Sequence, residues 1–188
     1  MKNVAVFASG TGSNFQAIID AVEQGTLQAN LVLLVCDKPG AKAIERANSH
    51  NIDTFVFTPK QYESKSAFET EIVSELQKRD VDYIALAGYM RLIGPTLLQS
   101  YEGKIINIHP SLLPAFPGKD AIGQAFQAGV EKTGVTIHYV DEGMDTGPAI
   151  AQGDVVLEEN ETMETLTKKI QKIEHELYPK TLQKIIEQ

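Results

Sequence analysis

The chain has one cysteine, Cys36, and no Cys/His spacing of the kind that holds zinc. A disulfide scaffold is therefore excluded. Cys36 closes an apolar run that starts at Leu31, and it reads as a buried small hydrophobe rather than a nucleophile. No run of about 18 apolar residues occurs, so no membrane-spanning helix is expected. The opening stretch Met1-Lys2-Asn3-Val4-Ala5-Val6-Phe7-Ala8 is apolar but too short for a secretory signal, and Gly10 and Gly12 interrupt it. With no signal and no second cysteine, the expected compartment is the cytoplasm. Positive charge is also scarce. Seventeen basic residues against 25 acidic ones give a formal net charge of −8, whereas nucleic-acid binding needs a basic face. Neither nucleic acid nor membrane is an expected partner. A small anionic ligand remains compatible, because the free N–H groups at a helix start can hold a phosphate whatever the net charge.

What is present is a regular alternation. The 188 residues, 43% of them hydrophobic, suffice for one domain with a sizeable core, and residues 1–188 are read as one unit. Apolar runs predict strands over Asn3–Ala8, Leu31–Cys36, Thr54–Phe57, Tyr83–Ala87 and Lys104–Ile108. Between them lie helical patterns: Phe15, Ile18, Ile19 and Val22; Ala41–His50; and Phe68, Ile72 and Leu76, with Ser66 and Glu69 as a capping box. This rhythm implies βαβ units, hence a Rossmann-like open, mostly parallel α/β sheet with helices on both faces. After residue 130 the pattern changes. Gly134–Val140 and Ala149–Leu157 read as antiparallel strands added near the C-terminal part. A last helix carries Met163, Leu166, Ile170, Ile173 and Leu177 on one stripe. Pro179 should kink or end it, and Leu182, Ile185 and Ile186 suggest a restart.

Ligands of open α/β sheets sit beyond the carboxyl ends of the strands. Past the first strand lies Ser9-Gly10-Thr11-Gly12-Ser13-Asn14, directly before a helix. It suits a phosphate, or equally a tight turn in which Ser13 or Asn14 caps the helix. It is neither a dinucleotide fingerprint nor a P-loop. Past the fourth strand, Gly88-Tyr89-Met90-Arg91-Leu92-Ile93-Gly94 reads as a strand-to-helix turn that could also line a pocket. The fifth strand is the sharpest signal. Asn107 and His109 are two apart and share one side of the strand. Such an Asn can donate to a developing oxyanion, and a His is suited to proton transfer near neutral pH. Pro110, Pro114 and Pro117 then restrict the loop that follows. His138 reads as a structural strand residue, and His50 and His175 as solvent-facing helix positions. The loop Asp141-Glu142-Gly143-Met144-Asp145-Thr146-Gly147-Pro148 is either a solvated acidic turn or the source of a carboxylate that orients His109. It lacks EF-hand spacing, and no metal is expected. Glu174 borders the apolar stripe of the last helix, so it faces either a ligand's hydroxyls or an ion-pair partner.

Taken in order, these segments resemble the folate-dependent formyltransferases across essentially the whole chain. Asn107-Ile108-His109-Pro110-Ser111-Leu112-Leu113-Pro114 is the most specific stretch. Gly10–Asn14, Gly88–Arg91 and Asp145–Pro148 narrow the resemblance to the branch that acts on glycinamide ribonucleotide. The resemblance implies transfer of the formyl group of 10-formyltetrahydrofolate, a co-substrate, to the primary amine of N1-(5-phosphoribosyl)glycinamide in de novo purine synthesis. It implies Asn107, His109 and Asp145 as the catalytic trio. Gly12, Ser13 and Asn14 would hold the phosphate, with Gln171 and Glu174 near the ribose. Met90, Arg91, Leu92 and Ile93, with Asn107 and the Asp141, Glu142, Gly143, Met144 and Asp145 loop, would form the folate pocket. Lys65 stands where some relatives carry an Arg that approaches the folate tail, and it keeps the charge but not the planar fork. Thr11 replaces an Asn of some members. The expected partners are small-molecule substrates, with a homodimer as the one candidate assembly. A related hydrolase carries an additional amino-terminal domain, for which a first strand at residue 3 leaves no room. Methionyl-tRNA formyltransferase carries a basic RNA-binding domain. A non-catalytic nucleotide-binding domain would leave the Asn–His pair unexplained.

Overall fold

A computed structural model describes every residue from Met1 to Gln188. Seven strands form one sheet: β1 (Lys2–Ala8), β2 (Ala29–Cys36), β3 (Thr54–Val56), β4 (Tyr83–Leu86), β5 (Ile105–His109), β6 (Lys132–Tyr139) and β7 (Ala149–Val156). Their order is β3-β2-β1-β4-β5-β6-β7. The first five pair in parallel, and β5–β6 and β6–β7 are antiparallel. The mixed sheet is therefore as the alternation of elements implied.

Strands β1, β4 and β5 are covered on both faces, which is why they read as unbroken apolar runs. Side-chain alternation divides them between two cores. Val4, Val6, Ala8, Ile106 and Ile108 join one core, and Ala5, Phe7, Ile84 and Ile105 the other. The first core lies beneath α1 (Ser13–Gln24), α2 (Lys42–Ser49), α5 (Ala121–Ala128) and α6 (Met163–Ile186). The second lies beneath α3 (Lys65–Lys78) and α4 (Pro95–Ser100). Helices α4 and α5 are too short to show a period in the sequence.

Two local expectations are corrected. The start of α3 is capped by Ser64, whose Oγ accepts from Ala67 N, and not by a Ser66–Glu69 box. Glu69 is buried because it serves another helix. Its carboxylate accepts from Gly94 N (2.7 Å) and Leu97 N (3.3 Å) at the start of α4. Helix α6 runs through Pro179 without ending. The interior proline is tolerated because its neighbours are anchored: Tyr178 is fully buried, and its hydroxyl donates to Leu86 O (2.8 Å) and Ile106 O (3.1 Å). That contact ties α6 to the sheet between β4 and β5.

The chain leaves β1 towards β2 on one side, and β4 lies on the other. The strand order thus reverses at β1/β4, and a crevice opens at their carboxyl ends.

Candidate active site

A cleft of about 600 Å³ occupies that crevice. The end of β1, the end of β4, the end of β5 and the loop after β6 all deliver side chains to it. Gly12 caps α1 in the left-handed region (φ 72°) with no side-chain cap, so the first N–H groups of the helix remain available. A Cβ at Gly12 would lie 2.9 Å from Ala43 Cβ, so only glycine lets α2 approach the turn. Arg46 of α2 donates from Nε to Thr11 O (2.7 Å) and holds the loop from behind. Asn14 and Glu174 line the cleft together. Burial pushes the Glu174 carboxyl up to about 7, opposed by a hydrogen bond from Asn14. The Asn14 carbonyl oxygen is buried without a partner, so a polar group is left open to a ligand.

Strand β5 carries Asn107 and His109 on one side, as alternation requires. Its antiparallel neighbour β6 sets His138 opposite Asn107 and Thr136 opposite His109. His109 is 6% exposed. Its Nε2 lies 3.0 Å from Phe116 O and its Nδ1 3.5 Å from Asp145 Oδ2. Both ring nitrogens therefore face oxygen atoms. Asp145 Oδ2 also accepts from Gly118 N (2.9 Å), so one carboxylate joins the loop after β5 to the loop after β6. Asp145 holds a positive φ of 57°, a conformation that persists only where surrounding bonds fix it. Thr136 fixes the proline loop. It donates to Ser111 O (2.7 Å) and accepts from Leu113 N (3.0 Å).

His138 is the group that sequence reasoning assigned to structure alone. It is 2% exposed and lies within the constellation. Its Nδ1 donates to Tyr139 O (2.9 Å), which turns Nε2 towards Asn107 Nδ2 (3.5 Å) and Asp145 Oδ1 (3.7 Å). Only the β5–β6 register reveals it, because nothing local marks that strand position as a neighbour of Asn107. His175 is likewise half-buried rather than solvent-facing. Burial and the nearby Arg46 lower its pKa. His50, at the carboxyl end of α2, is also half-buried and lies 2.6 Å from Glu23.

Met90, Arg91, Leu92 and Ile93 line the cleft opposite the Asp141–Asp145 loop. Met90, Leu92 and Met144 are exposed, 70, 51 and 48% respectively. Three large exposed apolar side chains beside convergent polar groups are the character of a ligand-binding pocket. Asp141 Oδ1 accepts from Thr146 Oγ1 (2.6 Å) and Gly143 N (2.9 Å), which holds its carboxyl below the usual range. Lys65 is not among the lining residues. Its Nζ donates to Leu92 O (2.8 Å) and braces the segment from outside. Gln171 is exposed on α6 beside Lys168 and Lys172, on a separate shallow depression. Ser13 likewise lines a neighbouring groove between α1 and α6. No group of three or more His, Cys, Asp or Glu is arranged to hold a metal.

Comparison with known proteins bears on this geometry. Residues 2–182 match the family model described as formyl transferase. The chain is 59% identical over 186 residues to phosphoribosylglycinamide formyltransferase of Bacillus subtilis, covering 99% of this chain and 95% of that one. The crystal structure of glycinamide ribonucleotide transformylase 1 from Geobacillus kaustophilus superposes with a TM-score of 0.97 at 66% identity, covering 98% of both chains. A trifunctional purine biosynthetic protein of Drosophila melanogaster is 39% identical over 187 residues, which are 98% of this chain and 14% of that protein.

Proposed function

The chain belongs to the formyl transferase family, and from that premise we propose that residues 1–188 form one formyltransferase domain. It moves the formyl group of 10-formyltetrahydrofolate to the primary amine of N1-(5-phosphoribosyl)glycinamide. The products are the N-formyl ribonucleotide and tetrahydrofolate, and the step belongs to de novo purine synthesis in the cytoplasm. One observation carries the reading: Asn107 and His109 on β5 meet Asp145, from the distant loop after β6, in a cleft that also holds Asn14 and Glu174. The acidic net charge supports small molecules, and not nucleic acid or a membrane, as partners. A homodimer stays part of the proposal.

In this reading the α1 start, with Gly12, Ser13 and Asn14, receives the phosphate, and Glu174 accepts from the ribose hydroxyls. Gln171 lies outside the cleft, on the neighbouring depression of α6. Met90 to Ile93 and the Asp141–Asp145 loop receive the folate. Lys65 acts on that pocket through the Leu92 carbonyl. As the amine nitrogen adds to the formyl carbon, charge develops on the carbonyl oxygen. The Asn107 amide is a donor available to it, and His109 supplies a second once its Nε2–H leaves the Phe116 carbonyl. One proton must pass from the amine to the departing folate nitrogen. Asp145, beside His109, holds the ring and relays that proton. His138 orients the Asn107 amide so that its second hydrogen points into the cleft. Holding both substrates together lowers the entropic part of the barrier. No metal is used.

The test is direct. Purified protein with 10-formyltetrahydrofolate should release tetrahydrofolate only when glycinamide ribonucleotide is added. Release without the amine would make the protein a hydrolase, and no release in either case would end the proposal.

A further inference from the structure

The two loops assigned to the two substrates are joined by a carboxylate that belongs to neither. Asp37 follows β2 and is 3% exposed. Its Oδ1 accepts from Ser9 Oγ at 2.5 Å, and its Oδ2 accepts from Arg91 Nε at 2.8 Å. The same Ser9 Oγ accepts from Met90 N (2.9 Å), and Ser9 N donates to Gly88 O (3.1 Å). Ser9 opens the loop that leads into α1, whereas Gly88, Met90 and Arg91 belong to the segment after β4. The two segments therefore share two direct hydrogen bonds, and Asp37 bridges them through two more, one to each. Both of those are the stronger, charge-assisted kind, since the acceptor is a carboxylate. Arg91 is engaged only at Nε, so its two terminal nitrogens have no protein partner and remain at the cleft.

A buried carboxylate is costly to keep unless its oxygens are fully engaged. Here its engagement fixes the distance between two loops, and neither loop's own fold requires it. Gly12 and Arg46 already hold the first loop. Glu69 and Lys65 already hold the far end of the second. We propose that Asp37 is a positioning residue that couples the two substrate sites. Through Ser9 it sets the Met90 backbone and the Arg91 guanidinium against the α1 loop, so that filling either site favours the geometry the other needs. The proposal rests on the two-substrate reading given above.

The experiment uses an unreactive pair, tetrahydrofolate and glycinamide ribonucleotide, with calorimetric affinities for each ligand alone and in the presence of the other. Coupling of this kind is reciprocal, so the wild type should show at least about fivefold tightening in both directions. Asp37→Asn removes the charge and offers one oxygen to two donors. Ser9→Ala leaves the Asp37–Arg91 pair and removes only the link to Met90. In each variant the tightening should fall below about twofold, with the ribonucleotide alone bound within about threefold of wild type. Ser9→Thr, which retains the hydroxyl, should restore it. Melting curves confirm that the variants fold, and Ser9→Ala stands as the milder variant should Asp37→Asn unfold. An active wild type with no mutual tightening would overturn the proposal, as would full tightening in Ser9→Ala. A wild type with no formyl transfer at all would instead overturn the functional reading.

Discussion

Replacing Glu174 by glutamine isolates the effect of one buried carboxyl. Burial raises it from 4.5 to about 7, and the Asn14 hydrogen bond offsets only part of the rise. A carboxyl whose value is higher in the folded than in the unfolded chain binds its proton more tightly when folded. Its contribution to stability is therefore complete below about pH 4.5, declines as pH rises, and is lost above about pH 7. The interval between the two values corresponds to about 3 kcal/mol, at roughly 1.4 kcal/mol per pH unit. Glutamine keeps the volume and has no charge to lose. Urea unfolding of both proteins should give nearly equal stabilities near pH 4.5. At pH 8 the variant should be more stable by about 3 kcal/mol, which is a midpoint shift on the order of 1.5 M urea for a slope near 2 kcal/mol/M. The same change should weaken ribonucleotide binding, because an ionised acceptor for hydroxyls is gone. Two stability profiles running parallel from pH 4.5 to 8 would refute the reasoning, since Glu174 would then carry no proton that folding retains.

The remaining expectations concern the constellation and its supports. His109→Ala and Asp145→Ala should each lower kcat by about 10²- to 10⁴-fold while calorimetry finds ribonucleotide affinity little changed; near-normal turnover in either contradicts the assignment. Asn107→Ala should lose about 3 kcal/mol of transition-state stabilisation, and steady-state rates down by less than about tenfold would argue against an oxyanion donor. Glu69→Ala leaves the Gly94 and Leu97 N–H groups without an acceptor. It should cost about 1–3 kcal/mol in chemical unfolding and raise KM for the folate more than for the ribonucleotide. An unchanged KM for both substrates would show that α4 does not support the folate segment.

Much of this architecture can be read before any coordinates. The buried strands announce themselves because both their faces are apolar. Boundaries drift where a strand end is polar: β6 begins at Lys132, whose Thr133 neighbour pairs with Val155 across the hairpin. The side chains after β1, β4 and β5 are legible as candidates because strand ends feed the crevice. What the sequence conceals are roles created by distant partners. Asp37 looks like an ordinary turn residue, yet its partners lie 28 and 54 residues away. Glu69 has the spacing of a local cap and serves a helix 25 residues further on. His138 needs the β5–β6 register, and Pro179 needs the anchorage of Tyr178, before either can be interpreted.

Because β1, β4 and β5 run in parallel, all three begin at the end of the sheet opposite the cleft. Met1 is 84% exposed there, and the seven residues of β1 span about 20 Å. A fluorescent tag or surface tether fused at that end would hang from the rear wall of the molecule. The mouth through which substrates enter would stay clear, so immobilised or labelled protein should retain its kinetics.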